Sequence, residues 1–218
     1  MVASLRSAPH LRIVSDRSPG ELSEAALAEA LLRREPWAAE LAWKRHSSAI
    51  YGLFVRGLGR GADVEALTQE VFLRSFTRIR SLEEPAALKS FLYSHAVLLM
   101  RRELRWRWLR RWLPSRSRRP SNEEAKWLLD RPARLVLSRL YEVLDQLGPS
   151  DRIVFALREL EGLSYGEIAE ILGKSLRSVK RNVARACGRV EVMVRREPLL
   201  DHYVAHGGSS EADQLEGA

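Results

Sequence analysis

The chain has 218 residues, 36 Lys plus Arg against 28 Asp plus Glu, a net charge of +8 and a pI near 10.1. Hydrophobic residues make up 45%, enough to bury a core, which excludes wholesale disorder. The single cysteine, Cys187, excludes an intrachain disulfide and a cysteine zinc cluster and fits a reducing compartment. The basic balance points, weakly by itself, to a polyanionic partner. No apolar run approaches the about 20 residues that cross a bilayer, and the first residues carry no apolar signal core. The expectation is a soluble, cytoplasmic protein without membrane insertion.

Residues 1–22 are polar, with Pro9, Pro19 and Gly20, and read as a disordered extension. A helical pattern runs from Glu24 to about Leu58, broken by Pro36, whose preference for the first helical turn sets a boundary near Glu35. Gly57 to Asp63 reads as a loop. From Val64 to about Ile79, Leu67, Val71, Ser75 and Ile79 recur every four residues beside Phe72 and Phe76, one face of an amphipathic helix. SLEEP, Ser81 to Pro85, is a second loop, and a further helix runs from Ala86 to about Trp112. Between Arg101 and Arg119 stand nine arginines and one acidic residue, Glu103, interleaved with Trp106, Trp108 and Trp112. Such a run attracts phosphate. Taken alone it also suits a membrane surface, but it continues a helix of a folded domain. Some of these tryptophans are expected to pack near Trp37 and Trp43.

LPSRSRRPSN, Leu113 to Asn122, has no apolar period and reads as a linker, with Ser121 and Glu124 able to cap a short helix through Leu129. Helices are then expected from Ala133 to about Gln146, Asp151 to Leu160, Tyr165 to Leu172 and Leu176 to about Arg196. Ser164 and Glu167 have capping-box spacing, Gly173 suits a left-handed turn, and Ser175 can cap the helix that follows. In that helix Val179 and Val183 face inward. Arg177, Ser178, Lys180, Arg181 and Asn182 stay outside, with Arg185 a turn further on. Early residues of the second helix in a helix-turn-helix meet base edges, Arg on guanine and Asn on adenine, whereas Arg185 is placed for phosphate. A charged corner of an ordinary bundle is the competing reading. It is disfavoured by the eight basic residues from Lys174 to Arg196. From Pro198 the chain reads as a mobile tail. No strand-like alternation and no repeat is seen. The fold class is all-α: two small helical domains, residues 23–113 and 133–197, joined by a flexible linker at 114–132 and followed by a tail at 198–218.

His10, His46, His95, His202 and His206 are scattered, and no P-loop, nucleophile elbow or metal cluster is present, so neither enzyme chemistry nor a cofactor or metal is expected.

ADVEALTQEVFLRSFTRI, LKSFLYSHAVLLMRRELRWRWLRRW and LGPSDRIVFALRELEGLSYGEIAEILGKSLRSVKRNVARA, in that order, resemble regions 2 and 4 of the extracytoplasmic-function (ECF) sigma factors of bacterial RNA polymerase. The resemblance covers roughly 150 residues in two blocks. It implies a region-2-like helical bundle and a helix-turn-helix region-4-like domain. It implies that Asp63, Glu65, Gln69, Glu70 and Phe72, with Val71, dock on the β′ clamp helices of core polymerase, with further contacts to the β subunit. It assigns opened −10 DNA to Ser81, Leu82, Glu83, Tyr93, Ser94, Arg101, Arg102 and Arg105, and −35 duplex DNA to Arg177, Ser178, Lys180, Arg181, Asn182 and Arg185. Phe91 is expected in the core. An anti-sigma protein is an implied partner. The chain departs from the pattern at Ala66 and Arg102, where acidic residues are usual, at Leu98, where Asn is frequent, and at Arg177 and Arg181-Asn182. A helix-turn-helix regulator that never touches polymerase is the alternative.

Overall fold

In the computed structural model, residues 22–59, 61–110 and 132–205 are described, and every regular element among them is helical. Helix α1 (Glu24–Leu32) starts at Ser23, whose hydroxyl accepts from Ala26 N at 3.2 Å. Arg34 then turns the chain with φ 58°, and α2 (Pro36–Leu58) begins at the expected place, with Glu35 at its boundary and Pro36 as its first residue. Helix α3 (Val64–Thr77) is capped by Asp63, whose Oδ1 accepts from Ala66 N at 3.0 Å. It ends two residues before Ile79, which enters a 3-10 turn (Ile79–Ser81) and is buried. A second such turn (Pro85–Ala87) leads into α4 (Leu88–Arg110). These four helices form the first module around Leu27, Ile50, Leu53, Phe54, Val71, Leu92 and Leu99, all fully buried.

The second module comprises α5 (Pro132–Asp145), α6 (Pro149–Phe155), α7 (Tyr165–Leu172), α8 (Leu176–Arg195) and α9 (Pro198–Ala205). Helix α6 continues into a five-residue π-turn, Ala156–Leu160. The capping box at Ser164 is formed: its hydroxyl accepts from Glu167 N at 3.2 Å while Glu167 Oε2 accepts from Ser164 N at 2.9 Å. Gly173 is left-handed, φ 58° and ψ 41°, and Ser175 caps α8 through Ser178 N. All three features match the sequence reading, because each depends only on residues three or four apart.

Three features differ from that reading. Residues 198–205, assigned to the tail, are helical, and Leu200 is buried against the second module. Pro198 serves as a helix start as readily as a helix stop, and two leucines follow it. The tryptophans of α4 do not pack on Trp37 or Trp43: Trp106 and Trp108 are exposed, and Trp43 instead meets Phe72, centroids 4.8 Å apart. Lastly, the modules pack on one another. A continuous apolar cluster joins Leu88, Leu92, Leu99 and Met100 of α4 to Ile153, Leu157, Ile168 and Ile171. Gly57 permits the approach, since a Cβ there would lie 2.6 Å from Met100 Cε and 3.5 Å from Ala156 Cβ. The extension before residue 22, the linker and its capped helix at Ser121 lie outside the described residues.

Candidate functional site

The helix-turn-helix is built from α7 and α8. In α8, Val179, Val183, Ala186 and Val190 are buried at helical spacing. That stripe turns Arg177, Lys180 and Arg181 outward, where they are exposed, and leaves Ser178 and Asn182 half-buried. Arg177, Arg181 and Asn182 carry no ion pair or side-chain hydrogen bond among the described residues, so their donors are available to a ligand. Lys180 Nζ lies 5.9 Å from the Tyr165 ring centroid, and the Ser178 hydroxyl accepts from that of Ser175 at 2.9 Å. Arg185 differs from its neighbours. Asp151, 4% exposed in the first turn of α6, accepts from Arg185 Nη2 at 2.6 Å and from Arg189 Nη1 at 2.6 Å. Arg185 therefore ties α8 to α6 while keeping an exposed flank. Sequence reasoning missed Asp151, whose partners lie 34 and 38 positions away.

The second group of candidates lines α3. Glu65 and Gln69 are exposed on one side of an open groove between α2 and α3, and Trp43, Ser47, Ser48, Tyr51 and Thr68 complete its lining. Trp43 and Tyr51 are large exposed aromatics that sequence reasoning did not select. Their position about two turns apart on one side of α2 was the available signal. Asp63 caps the helix. Phe72 is 3% exposed and supports α3 from within, its ring tilted against Trp43 and edge-on to Phe76. Glu70 is held by Arg102, whose Nη2 and Nη1 donate to its two oxygens at 2.9 and 3.3 Å, and by Arg74. Arg102 holds the Glu70 carboxyl below its ordinary range, against the opposing effect of burial. The arginine that departs from the family pattern thus partners Glu70, a carboxylate of the α3 candidates.

The third group lies along the loop and α4. Ser81 and Glu83 are exposed, while Leu82, 9% exposed, anchors the loop in the core. At 100° per residue, Ser94, Leu98, Arg101 and Arg105 share one stripe of α4. Leu98 and Arg105 are exposed on it, Ser94 donates to Phe91 O at 2.7 Å, and Arg101 is half-buried. Tyr93 lies off that stripe and is 4% exposed. Burial pushes its phenol above the ordinary value, with Glu161 of the second module adding to the effect. Phe91, expected in the core, packs against it from the edge, 4.6 Å from the His95 ring. Among the described residues the histidines form no cluster, and no group of potential metal ligands exists. Nor is any described helix long and apolar enough to cross a membrane.

Comparison with known proteins agrees with this geometry. Residues 42–110 match the family described as Sigma-70 region 2, and residues 137–190 match Sigma-70, region 4. The chain is 26% identical over 198 residues to the ECF RNA polymerase sigma-E factor of Haemophilus influenzae, an alignment that spans 83% of this chain and 98% of that protein. It is 30% identical over 174 residues to the ECF RNA polymerase sigma factor SigE of Mycolicibacterium smegmatis, spanning 78% of this chain and 63% of that one. Among solved structures, CnrH in complex with the cytosolic domain of CnrY aligns with a TM-score of 0.57 at 20% identity, over 80% of this chain and 98% of CnrH, a likeness of fold. With region 2 and region 4 both matched in order and full-length relatives of the same class, the chain belongs to the ECF sigma factors, the transcription-initiation proteins of bacterial RNA polymerase.

Proposed function

We propose that this sigma factor joins core RNA polymerase through α3 and the adjoining α2 groove, reads −35 duplex DNA through α8, and captures opened −10 DNA with the 81–85 loop and α4. The observation that carries the reading is α8 itself: a capped helix-turn-helix whose second helix offers Arg177, Arg181 and Asn182 without internal partners. Free guanidinium and amide groups at the start of such a helix meet base edges in the major groove. The groove beside Gln69 supplies what a protein partner needs, exposed aromatic area flanked by hydrogen-bonding groups. Capturing a base from opened DNA requires compensation for lost stacking, and the loop with the Ser94–Arg105 stripe offers hydroxyl, carboxylate and guanidinium groups in one region. The chain brings no chemistry of its own; core polymerase supplies catalysis, and this protein supplies position. Holding both DNA elements on one chain raises the effective concentration of the second contact. An inhibitory protein that covers both modules is a further expected partner; CnrH, the neighbour in fold, was solved in complex with a protein partner, the cytosolic domain of CnrY.

Run-off transcription with core enzyme on candidate promoters tests the reading. Promoter-specific transcripts are expected from this chain plus core polymerase, and from neither alone. Gln69→Ala combined with Glu70→Ala should weaken co-purification with core while leaving duplex affinity unchanged. Duplex binding that persists with neither core binding nor transcripts would instead identify a helix-turn-helix regulator independent of polymerase.

A further inference from the structure

Arg177, Arg181, Arg185 and Arg189 follow one another at every fourth position of α8, and all of them are exposed. Side chains at that spacing lie one above the other on a single helix face, each about 6 Å further along the axis. They differ in what holds them. Arg177 and Arg181 carry no ion pair or side-chain hydrogen bond among the described residues, whereas Arg185 and Arg189 both meet Asp151.

Asp151 reaches this ridge from the first turn of α6. Its Oδ1 accepts from Arg185 Nε at 3.1 Å and from Arg185 Nη2 at 2.6 Å, and its Oδ2 accepts from Arg189 Nη1 at 2.6 Å. Both oxygens of the buried carboxylate are therefore used. Burying such a group is costly without partners, and the two guanidiniums supply them. Like charges at i and i+4 repel, and a carboxylate set between them relieves the repulsion. The contact does not exhaust the arginines. A guanidinium has several N–H donors; Arg185 places two on Asp151 and Arg189 one, and their side chains remain 47% and 58% exposed.

We propose that Asp151 is a positioning residue: it holds Arg185 and Arg189 as a two-fork clamp for the phosphate backbone of the −35 duplex, and so adds Arg189 to the residues that touch DNA. This role rests on the −35 reading given above. Residues at the start of a recognition helix meet base edges, and side chains without internal partners can adjust to the base they find; later turns pass the sugar-phosphate backbone. The backbone is the same in every sequence. A fixed geometry there loses no adaptability, and it removes the ordering of two long side chains from the binding step. Charge alone acts in the other direction. Asp151 lowers the local positive charge, so a tally of charges makes its neutralisation tighten DNA binding. The two effects have opposite signs.

The test is fluorescence anisotropy of the full chain, over a range of salt, on a duplex that it selects from a randomised pool and on a scrambled version. Asp151→Asn should weaken binding to both by about tenfold despite its added net positive charge, and leave their ratio unchanged. Arg189→Ala should weaken both by about tenfold and lower the slope of log affinity against log salt by about 0.9. In the Asp151→Asn background that effect should shrink. Arg177→Ala is the contrast, and should reduce the ratio. Unchanged or tighter binding by Asp151→Asn overturns the positioning role. A loss confined to the selected duplex overturns it too, and makes Asp151 a joint that sets the reading angle of α8. Arg189→Ala without effect overturns the clamp, and an undiminished effect in the Asp151→Asn background overturns the dependence of Arg189 on Asp151. Circular dichroism checks the fold. If Asp151→Asn loses helix, Arg185→Lys with Arg189→Lys decides, since lysine keeps the charge without the fork: weaker binding supports the clamp and unchanged binding overturns it. A wild type that binds both duplexes equally is a failure of the −35 reading rather than of the clamp, which the same variants still decide on the scrambled duplex.

Discussion

In α8, Val179, Val183, Ala186 and Val190 fall on one stripe, and the cations opposite them face solvent with few internal partners. In α4, an equally basic helix, Arg102 is paired with Glu70, Arg107 with Glu103 and the end of α2, and Tyr93 lies beneath the second module. The two helices have similar charge and different availability. The exposure of α8 is set by its own period, because it packs on the second module through one face. That of α4 is set by neighbours on several sides: α2 and α3 of its own module, and α6 and α7 of the other. A basic helix announces a nucleic-acid contact only when its cations are unpaired, and pairing is a tertiary property.

The comparison breaks most visibly if the modules do not share a core. Leu157 is fully buried in the cluster that spans them. Leu157→Ala should cost about 2–5 kcal/mol in urea unfolding, within a single transition. Two separated transitions, only one of them shifted, would show that the modules unfold independently. The contrast in cation availability is sharpened by a pair of substitutions. Arg177→Ala should weaken binding to the preferred duplex by about 1–3 kcal/mol and relax sequence choice, whereas Arg102→Ala should leave duplex affinity unchanged, both by fluorescence anisotropy. Equal losses would erase the distinction between α8 and α4. A smaller effect is expected at the cap: Ser164→Ala should destabilise the protein by about 1 kcal/mol, since the α7 N-terminus loses its hydroxyl acceptor.

The smallest expected effect depends on pH. The Ser164 backbone N–H and hydroxyl, with Lys89, hold the Glu167 carboxyl below its ordinary range. A carboxyl whose folded pKa is depressed stabilises the fold above its unfolded value, about 4.3, and that contribution is lost as pH falls through the folded value. The stability difference between wild type and Glu167→Gln should therefore be present near neutral pH and shrink in acid below about pH 4. A difference that is flat with pH would mean that the carboxylate charge contributes nothing there.

Much of the second module was legible in the linear sequence. The capping box at Ser164, the left-handed Gly173, the Ser175 cap and the inward Val179 and Val183 obey rules that operate over one turn of helix. The same holds for the start of α2 at Pro36 and the face of α3. The groove lining was half legible: Glu65 and Gln69 were found, but Trp43 and Tyr51 come from another helix, and a period within one helix does not reveal what lies across from it. The helix at 198–205 was hidden because Pro198 is ambiguous between stop and start until Leu200 finds the second module.

By itself, the sequence determined the helical class, nearly every helix boundary, the helix-turn-helix and the set of outward cations on α8, because backbone capping and hydrophobic period are local. Only the tertiary structure decided which charges are free. Arg152 meets the α2 carbonyls across 94 and 95 positions, and Arg56 meets Glu161 across 105. At such separations the burial of one chosen pair depends on how whole faces pack, and the sequence carries no periodic trace of it.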